Sequence, residues 1–360
     1  MNSAVTKGRF AVVSIALAWA PAACAGAADP GRESSEAPVG DATTATADGA
    51  APGADDAAVV PIFDAGAPNT DGGDPPPTAA DGGMRCSGRT KPPADATWTL
   101  MSGGLSRTLA VHVPAGYDPT QPTPLVLNFH GQFSDGAQED MLSGMSAKAD
   151  DAGFIAVFPE GVGASWNAGG DCCDPALTEN VDDVGFVEDI LTAASAELCV
   201  DRARVFATGM SNGAYFAHRL GCALAGEIAA IAPVSGVLSV PPACEPSRPM
   251  PVMEFHGTAD PVVPYDGGGT PEEPSVPATF AGWAMRDGCQ GAPKATFQSG
   301  DVTCSSYEAC NATSEVTLCT VDGGGHAWPG GLSVPLLGYT TTSISATDSM
   351  WSFFVAHPLH

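Results

Sequence analysis

Basic residues are scarce in this chain. Fourteen Lys and Arg stand against 41 Asp and Glu, for a net charge of −27. A surface that acidic repels phosphodiester backbones and anionic bilayers, which argues against both as partners and favours a neutral or apolar substrate. Long hydrophobic runs are lacking too. The Phe10 to Ala20 run is about half of what a bilayer-spanning helix needs, and no other segment is long and apolar enough. No C-x-x-C pair occurs, which speaks against a zinc site. The Asp-Gly-Gly repeats at 71–73 and 81–83 lack the ligand spacing of an EF-hand loop. Asp171, Asp174, Asp182 and Asp183 are read as helix capping and surface charge rather than a calcium site. No metal and no cofactor is expected.

What is present begins with a leader. Lys7 and Arg9 precede the apolar run, and Pro21 to Ala27 supplies small residues at a cleavage point. That is the layout of a secretory signal peptide over residues 1–25. Cys24 offers an alternative as the lipid-bearing cysteine of a surface-anchored lipoprotein, although Pro21 stands where such signals carry leucine. Residues 26–85 are an Ala/Asp/Gly/Pro-rich acidic stretch with almost no large apolar side chains. Nothing there offsets the entropy of ordering the backbone, so a disordered linker is expected. Without Cys24, ten of the eleven cysteines remain, an even set that reads in an exported chain as a disulfide framework. Cys289, Cys304, Cys310 and Cys319 are close enough to form a local stapled cluster. Asn311-Ala312-Thr313 matches a glycosylation acceptor that a bacterial leader would leave idle.

Residues 86–360 are expected to form one domain. Leu105 to Val113 alternates as an edge strand. Leu125 to Phe129, Phe154 to Phe158, Val205 to Ala207, Ile228 to Ala232, Val252 to Phe255 and Val316 to Val321 read as further strands. Helices are expected over Glu139–Ala149, from Asp182 or Asp183 to Leu198, and over Ala214–Leu224, Pro277–Arg286 and Ser345–Val355. Strands alternating with helices imply an α/β class: a mostly parallel central sheet flanked by helices, here stabilised by disulfides. In such sheets the ligand site lies beyond the carboxyl ends of the strands.

Three of those strand ends carry the chemistry. Gly209-Met210-Ser211-Asn212-Gly213 sits between a strand and a helix. The motif discriminates little by itself in a chain with 43 glycines. Its strand–turn–helix setting, however, is the one a nucleophile elbow requires. A serine hydroxyl attacks well only when a neutral imidazole takes its proton, and a carboxylate fixes that imidazole's tautomer. Asp260 and His326 end later strands, so the order Ser211, Asp260, His326 is that of the α/β-hydrolase fold. Asp266 and Asp322 compete with Asp260, but the first lies further out and the second is too near His326 to reach around it. His112, His218, His357 and His360 lack a strand-end position. The backbone amides of Asn212 and Gln132 are the expected oxyanion donors. Trp166, Trp328 and His130 lie on loops expected to face the substrate, while His256-Gly257 reads as a structural turn.

Six motifs stand in sequence: Leu127-Asn128-Phe129-His130-Gly131; Ser165-Trp166-Asn167-Ala168-Gly169 with Cys172-Cys173; Val181 to Phe186; Gly209 to Gly213; His256 to Asp260; and Gly323 to Gly330. As a set they resemble the secreted esterases grouped as polyhydroxybutyrate depolymerase-like and as feruloyl or acetylxylan esterases. The resemblance implies Ser211 as nucleophile, His326 as base and Asp260 as acid. Tannase-type feruloyl esterases carry cysteines beside the catalytic Ser and His; Met210, Asn212, Gly325 and Ala327 stand there instead, which excludes that subfamily. Polyester depolymerases often append a polymer-binding domain, and the chain ends at its closing helix, which favours plant cell-wall esters. The expectation is therefore a secreted, monomeric serine esterase acting on feruloyl or acetyl groups of polysaccharide. Alternatives are an extracellular polyhydroxyalkanoate depolymerase, an inactive surface-tethered binding module, and a peptidase.

Overall fold

The computed structural model describes residues 86, 89–170, 172–239, 244–268 and 272–360. The expected leader and linker, including Cys24, lie outside the described residues.

The frame is a ten-stranded sheet. β1 (Asp95–Ser102) and β2 (Leu105–His112) form a hairpin in which Gly103 and Gly104 both take positive φ, 56° and 80°. A turn with two left-handed residues matches the twist of the flanking strands. β2 is therefore not the edge strand expected from its alternation, because β1 covers its outer side. β2 runs antiparallel to β4 (Ile155–Pro159), and β4 opens a parallel block. That block continues through β3 (Thr123–Phe129), β5 (Val200–Met210), β6 (Ala230–Val234), β7 (Val252–Gly257) and β10 (Val316–Val321). Antiparallel β9 (Val302–Tyr307) and β8 (Lys294–Ser299) close the far side.

Every residue of β3, β4 and β6 is buried, which explains their continuous apolar runs. Two apolar clusters line the sheet. One gathers Phe186, Ile190, Phe216, Leu220, Phe280 and Trp283 from α3 (Asp183–Glu197), α4 (Asn212–Ala223) and α5 (Val276–Arg286). The other holds Met145, Ala149, Phe353 and Phe354 from α2 (Met145–Ala152) and α6 (Ala346–Ala356). The single helix expected over Glu139–Ala149 is two. α1 (Gly136–Ser143) ends where Gly144 turns left-handed, φ 65°, and donates back to Asp140 O.

Among the described residues five disulfides join Cys86–Cys199, Cys172–Cys173, Cys222–Cys244, Cys289–Cys310 and Cys304–Cys319. The last two make up the local cluster expected from spacing. Among the described residues, no helix is long and apolar enough to cross a membrane.

Candidate active site

Ser211 stands between β5 and α4 with φ 56° and ψ −123°, a backbone conformation that side chains other than glycine rarely adopt. The glycines around it explain how so sharp a turn fits. A Cβ on Gly209 or Gly213 would overlap the Phe129 carbonyl oxygen, and one on Gly236 would strike Ala214 Cβ. The strained serine is thus wedged between β3 and β6, and its own N–H donates to Val234 O at 3.0 Å. By position, the first amides of α4, at Asn212 and Gly213, have no acceptor within the helix, so they form an anion-favouring terminus beside the hydroxyl.

Asp260 and His326 come from the neighbouring ends of β7 and β10. A Cβ on Gly257 would collide with the Gly324 and Gly325 backbone, so the two loops lie in contact. Ala259 N–H donates to Gly324 O at 2.9 Å. On the other side, Leu337 O accepts from His326 N–H at 2.7 Å and Tyr339 O from Gly325 N–H at 2.9 Å. Within this frame His326 Nδ1–H donates to Asp260 Oδ2 at 2.8 Å, with both side chains fully buried. Asp260 Oδ1 accepts from the Val262 and Val263 amides, each at 2.8 Å. Burial alone would raise the proton affinity of Asp260. Its contacts with His326, His256 and the Val263 amide outweigh that, so it stays below the usual carboxylate range.

The Nδ1–H bond leaves the lone pair of a neutral His326 on Nε2, which is buried and has no hydrogen-bond partner among the described residues. The Ser211–His326 hydrogen bond is therefore not closed in this structure. The two are linked through β6: Val234 holds the Ser211 amide, and Ser235 Oγ lies 3.5 Å from Ala327 O, next to His326.

Gly131 lies against the serine, since a Cβ placed there would sit 3.4 Å from Ser211 Cβ. That brings the 131–132 segment to the nucleophile. The Gln132 side chain turns to Asp174 O, 2.8 Å away, and ties this segment to the cysteine-bearing loop.

The three residues expected to face the substrate are buried. Trp166, Trp328 and His130 are each 0% exposed. Trp166 stacks on Phe216 at 5.3 Å and donates to His130 O at 2.9 Å. Trp328 packs in the cluster under α6 and donates to Thr347 Oγ1 at 2.9 Å. His130 Nε2 accepts from Gly161 N–H at 3.0 Å, so its Nδ1–H donates to Gly131 O at 2.8 Å. Burial drives its proton affinity down. Loops leaving the sheet fold back over it, so their largest side chains become core. Asp183 is also buried rather than a surface charge. It pairs with Arg107 at 2.8 Å and accepts from Asn167 N–H at 2.8 Å.

Sequence reasoning also passed over the Asn212 side chain. Its Oδ1 accepts from Trp166 N–H at 2.7 Å and its Nδ2 donates to Trp166 O at 3.0 Å. Among the described residues, no group of three or more His, Cys, Asp or Glu side chains is arranged to hold a metal ion.

Comparison with known proteins adds the lineage. A feruloyl esterase C from Emericella nidulans is 30% identical over 257 residues, spanning 69% of this chain and 84% of that relative. The chain belongs to the feruloyl esterase family. A putative esterase NocK from Nocardia uniformis subsp. tsuyamanensis is 32% identical over 297 residues, covering 74% of this chain and 85% of that protein. Feruloyl esterase B of Piromyces equi is 35% identical over 236 residues, and the matched segment is 61% of this chain but only 42% of that longer protein. No family model matches. Among solved structures, an acetyl xylan esterase from Aspergillus awamori superposes with a TM-score of 0.54 at 14% identity, over 72% of this chain and 98% of that one. That likeness identifies the α/β-hydrolase fold of this feruloyl esterase family member.

Proposed function

We propose that the protein is an exported serine esterase that releases feruloyl or acetyl groups from plant cell-wall polysaccharide through an acyl-enzyme. The observation that carries this reading is the Asp260–His326 bond at 2.8 Å. It leaves the buried Nε2 of His326 without a hydrogen-bond partner among the described residues, while Ser211 is held in its strained turn. Ser211 is the nucleophile, His326 the base and Asp260 the residue that fixes its tautomer. Residues 1–25 act as the leader and 26–85 as the linker.

In the reaction, Ser211 Oγ attacks the ester carbonyl carbon while its proton passes to His326 Nε2. Asp260, ionised, stabilises the imidazolium that results. The carbonyl oxygen becomes an oxyanion and is held by the amides of Asn212 and Gln132. Collapse breaks the carbon–oxygen bond of the leaving alcohol, which takes the proton from Nε2. Water then attacks the acyl-serine with the same base, releasing the acid and restoring Ser211.

The test is a side-by-side assay on methyl ferulate, acetylated xylan and amorphous polyhydroxybutyrate, with Ser211→Ala as blank. Release of ferulate or acetate that falls by about 10⁴-fold in the variant is the expected result. Clearing of the polyester alone would replace the polysaccharide reading with a depolymerase. Equal turnover by the Ser211→Ala protein would remove Ser211 from the mechanism.

A further inference from the structure

Of the buried titratable side chains for which the reaction has no use, three lie in line with Asp260. They are His218 on α4, and Glu254 and His256 on β7, all at most 1% exposed. Glu254 and His256 are two apart on one strand and share a face of the sheet. His218 comes down onto that face and Trp283 of α5 stacks beside it at 6.0 Å. The polar atoms line up in a row. His218 Nε2 is 4.0 Å from Glu254 Oε2, and Glu254 Oε1 is 3.7 Å from His256 Nδ1. His256 Nε2 is 3.5 Å from Asp260 Oδ2, the oxygen that accepts from His326.

Proton positions follow from what each neighbour can donate. An indole N–H only donates, and Trp283 Nε1 lies 3.0 Å from His218 Nδ1. His218 is therefore protonated on Nε2, facing Glu254. Burial pushes its proton affinity down to about 3, so this ring is neutral. A backbone carbonyl only accepts, and Val263 O lies 2.9 Å from His256 Nε2, so that nitrogen carries a proton. The gap between His256 Nδ1 and Glu254 remains. With no proton there, two lone pairs would face each other across 3.7 Å and Glu254 would be an unpaired buried anion. The gap therefore holds one proton. Asp260, on the far side of the ring, favours placing it on nitrogen. Burial raises the proton affinity of Glu254 and opposes a charge on His256, yet Glu254 and Asp260 together shift the ring upward, and the second carboxylate at Asp260 decides for the nitrogen.

Few other groups reach this row. Arg286 of α5 acts on His218 and lowers its proton affinity further. Tyr265 presents its ring to His256 at 6.0 Å, with its hydroxyl paired to Thr320 of β10.

We propose that Glu254 and His256 are positioning residues for Asp260: the His256 imidazolium, paired with Glu254, fixes the Asp260 carboxylate in register with His326 and lowers the pH at which the base takes up a proton. This rests on the reading of Asp260 and His326 given above. The two imidazoles contact one carboxylate oxygen, which puts their nearest nitrogens within about 6 Å of each other. At that range a charge on one ring opposes a charge on the other.

Glu254→Gln removes the counter-charge and leaves His256 neutral. The acid limb of the kcat/KM profile should then move up by about one pH unit, with KM unchanged. Glu254→Asp should return the limb toward its original position. A Glu254→Gln protein that folds, loses activity uniformly and keeps its limb within about 0.2 unit would overturn the proposal, because a merely structural carboxyl behaves that way. Should the variant not fold, the unaltered protein decides. Long-range 1H–15N spectra of histidine-labelled enzyme should show an exchange-protected imidazolium for His256 near neutral pH, beside a neutral Nε2–H ring for His218. A neutral His256 in an enzyme that turns over ester refutes the charge assignment alone. Absence of turnover with the imidazolium present refutes the esterase reading alone.

Discussion

Asn212 is the position where stability and chemistry can be separated. Its backbone N–H is the proposed oxyanion donor, whereas its side chain, 1% exposed, closes a two-bond clasp on the Trp166 peptide. In Asn212→Ala the amide of α4 is retained and Trp166 O keeps the Cys173 N–H, but the buried Trp166 N–H loses its acceptor. A buried polar group without a partner costs about 1–3 kcal/mol. With one such group left, the loss is about 2 kcal/mol. For a domain of this size that lowers Tm by about 4–8 °C. Asn212→Asp is the sharper probe, since it exchanges one side-chain NH2 for oxygen and keeps the shape. One carboxylate oxygen still accepts from Trp166 N–H, but the other faces Trp166 O, and an anion is buried. At pH 7 the aspartate variant should be less stable than the alanine one. It should recover as pH falls and the new carboxyl protonates, because an O–H can donate to Trp166 O where the amide did. Thermal melts of all three proteins from pH 4.5 to 8 provide the test. Loss of kcat/KM in the alanine variant should stop at about 100-fold, the scale of a displaced loop, far short of Ser211→Ala. An aspartate variant as stable as the parent at pH 7, or one whose deficit does not change with pH, would refute the clasp.

Asp260→Asn should lower kcat by about 10⁴-fold at pH 7 with little change in KM. The amide keeps the Val262 and Val263 bonds but presents N–H to His326, forcing the proton onto Nε2, so activity within tenfold of the parent would contradict the assignment. Asp287 gives a stability signature of the opposite sign to most carboxylates. Burial raises it from 3.8 to about 6, against the opposing pull of Ser314, the Met250 amide, Arg248 and Arg286. Because the folded chain binds that proton more tightly, the stabilisation is complete below the unfolded value and is lost as pH rises through the window from 3.8 to about 6. Asp287→Asn should erase this loss, so its Tm advantage over the parent should grow between pH 4 and 7; parallel Tm–pH curves would count against it.

What the chain disclosed on reading was set by backbone demands. A serine in a strained strand–helix turn needs glycines at Gly209 and Gly213, and both survive translation into geometry because a Cβ there meets the Phe129 carbonyl. Likewise Gly323 to Gly325 mark the place where the β10 loop meets β7. Those needs are local and leave a pattern in letters. The direction a loop folds does not. Trp166, Trp328 and His130 occupy loops at the expected end of the sheet, yet the loops close over apolar surface and the rings go inward. β1 of the hairpin leaves little apolar signal, since Thr97 is exposed and Thr99 and Met101 are only half-buried. The break at Gly144 hides inside a stretch whose flanking residues all suit a helix.

Glu254 is the telling case. It sits in Val252-Met253-Glu254-Phe255, a strand otherwise apolar, and a carboxyl there is anomalous by composition alone. A packed hydrophobic residue at such a position is commonly as stable as a buried ion pair, or more so. The burial of His218, Glu254, His256, Asp260 and His326 in one row therefore has no explanation in stability. Each member lowers the penalty of the next: Trp283 orients His218, Glu254 sits between two imidazoles, and His256 lies between two carboxylates. One end of the row is His326 Nε2, buried and without a hydrogen-bond partner among the described residues. A chain of buried charges that ends in one basic nitrogen is intelligible as a device for setting how strongly that nitrogen holds a proton, and shifts of the acid limb in variants along the row should shrink with distance from it.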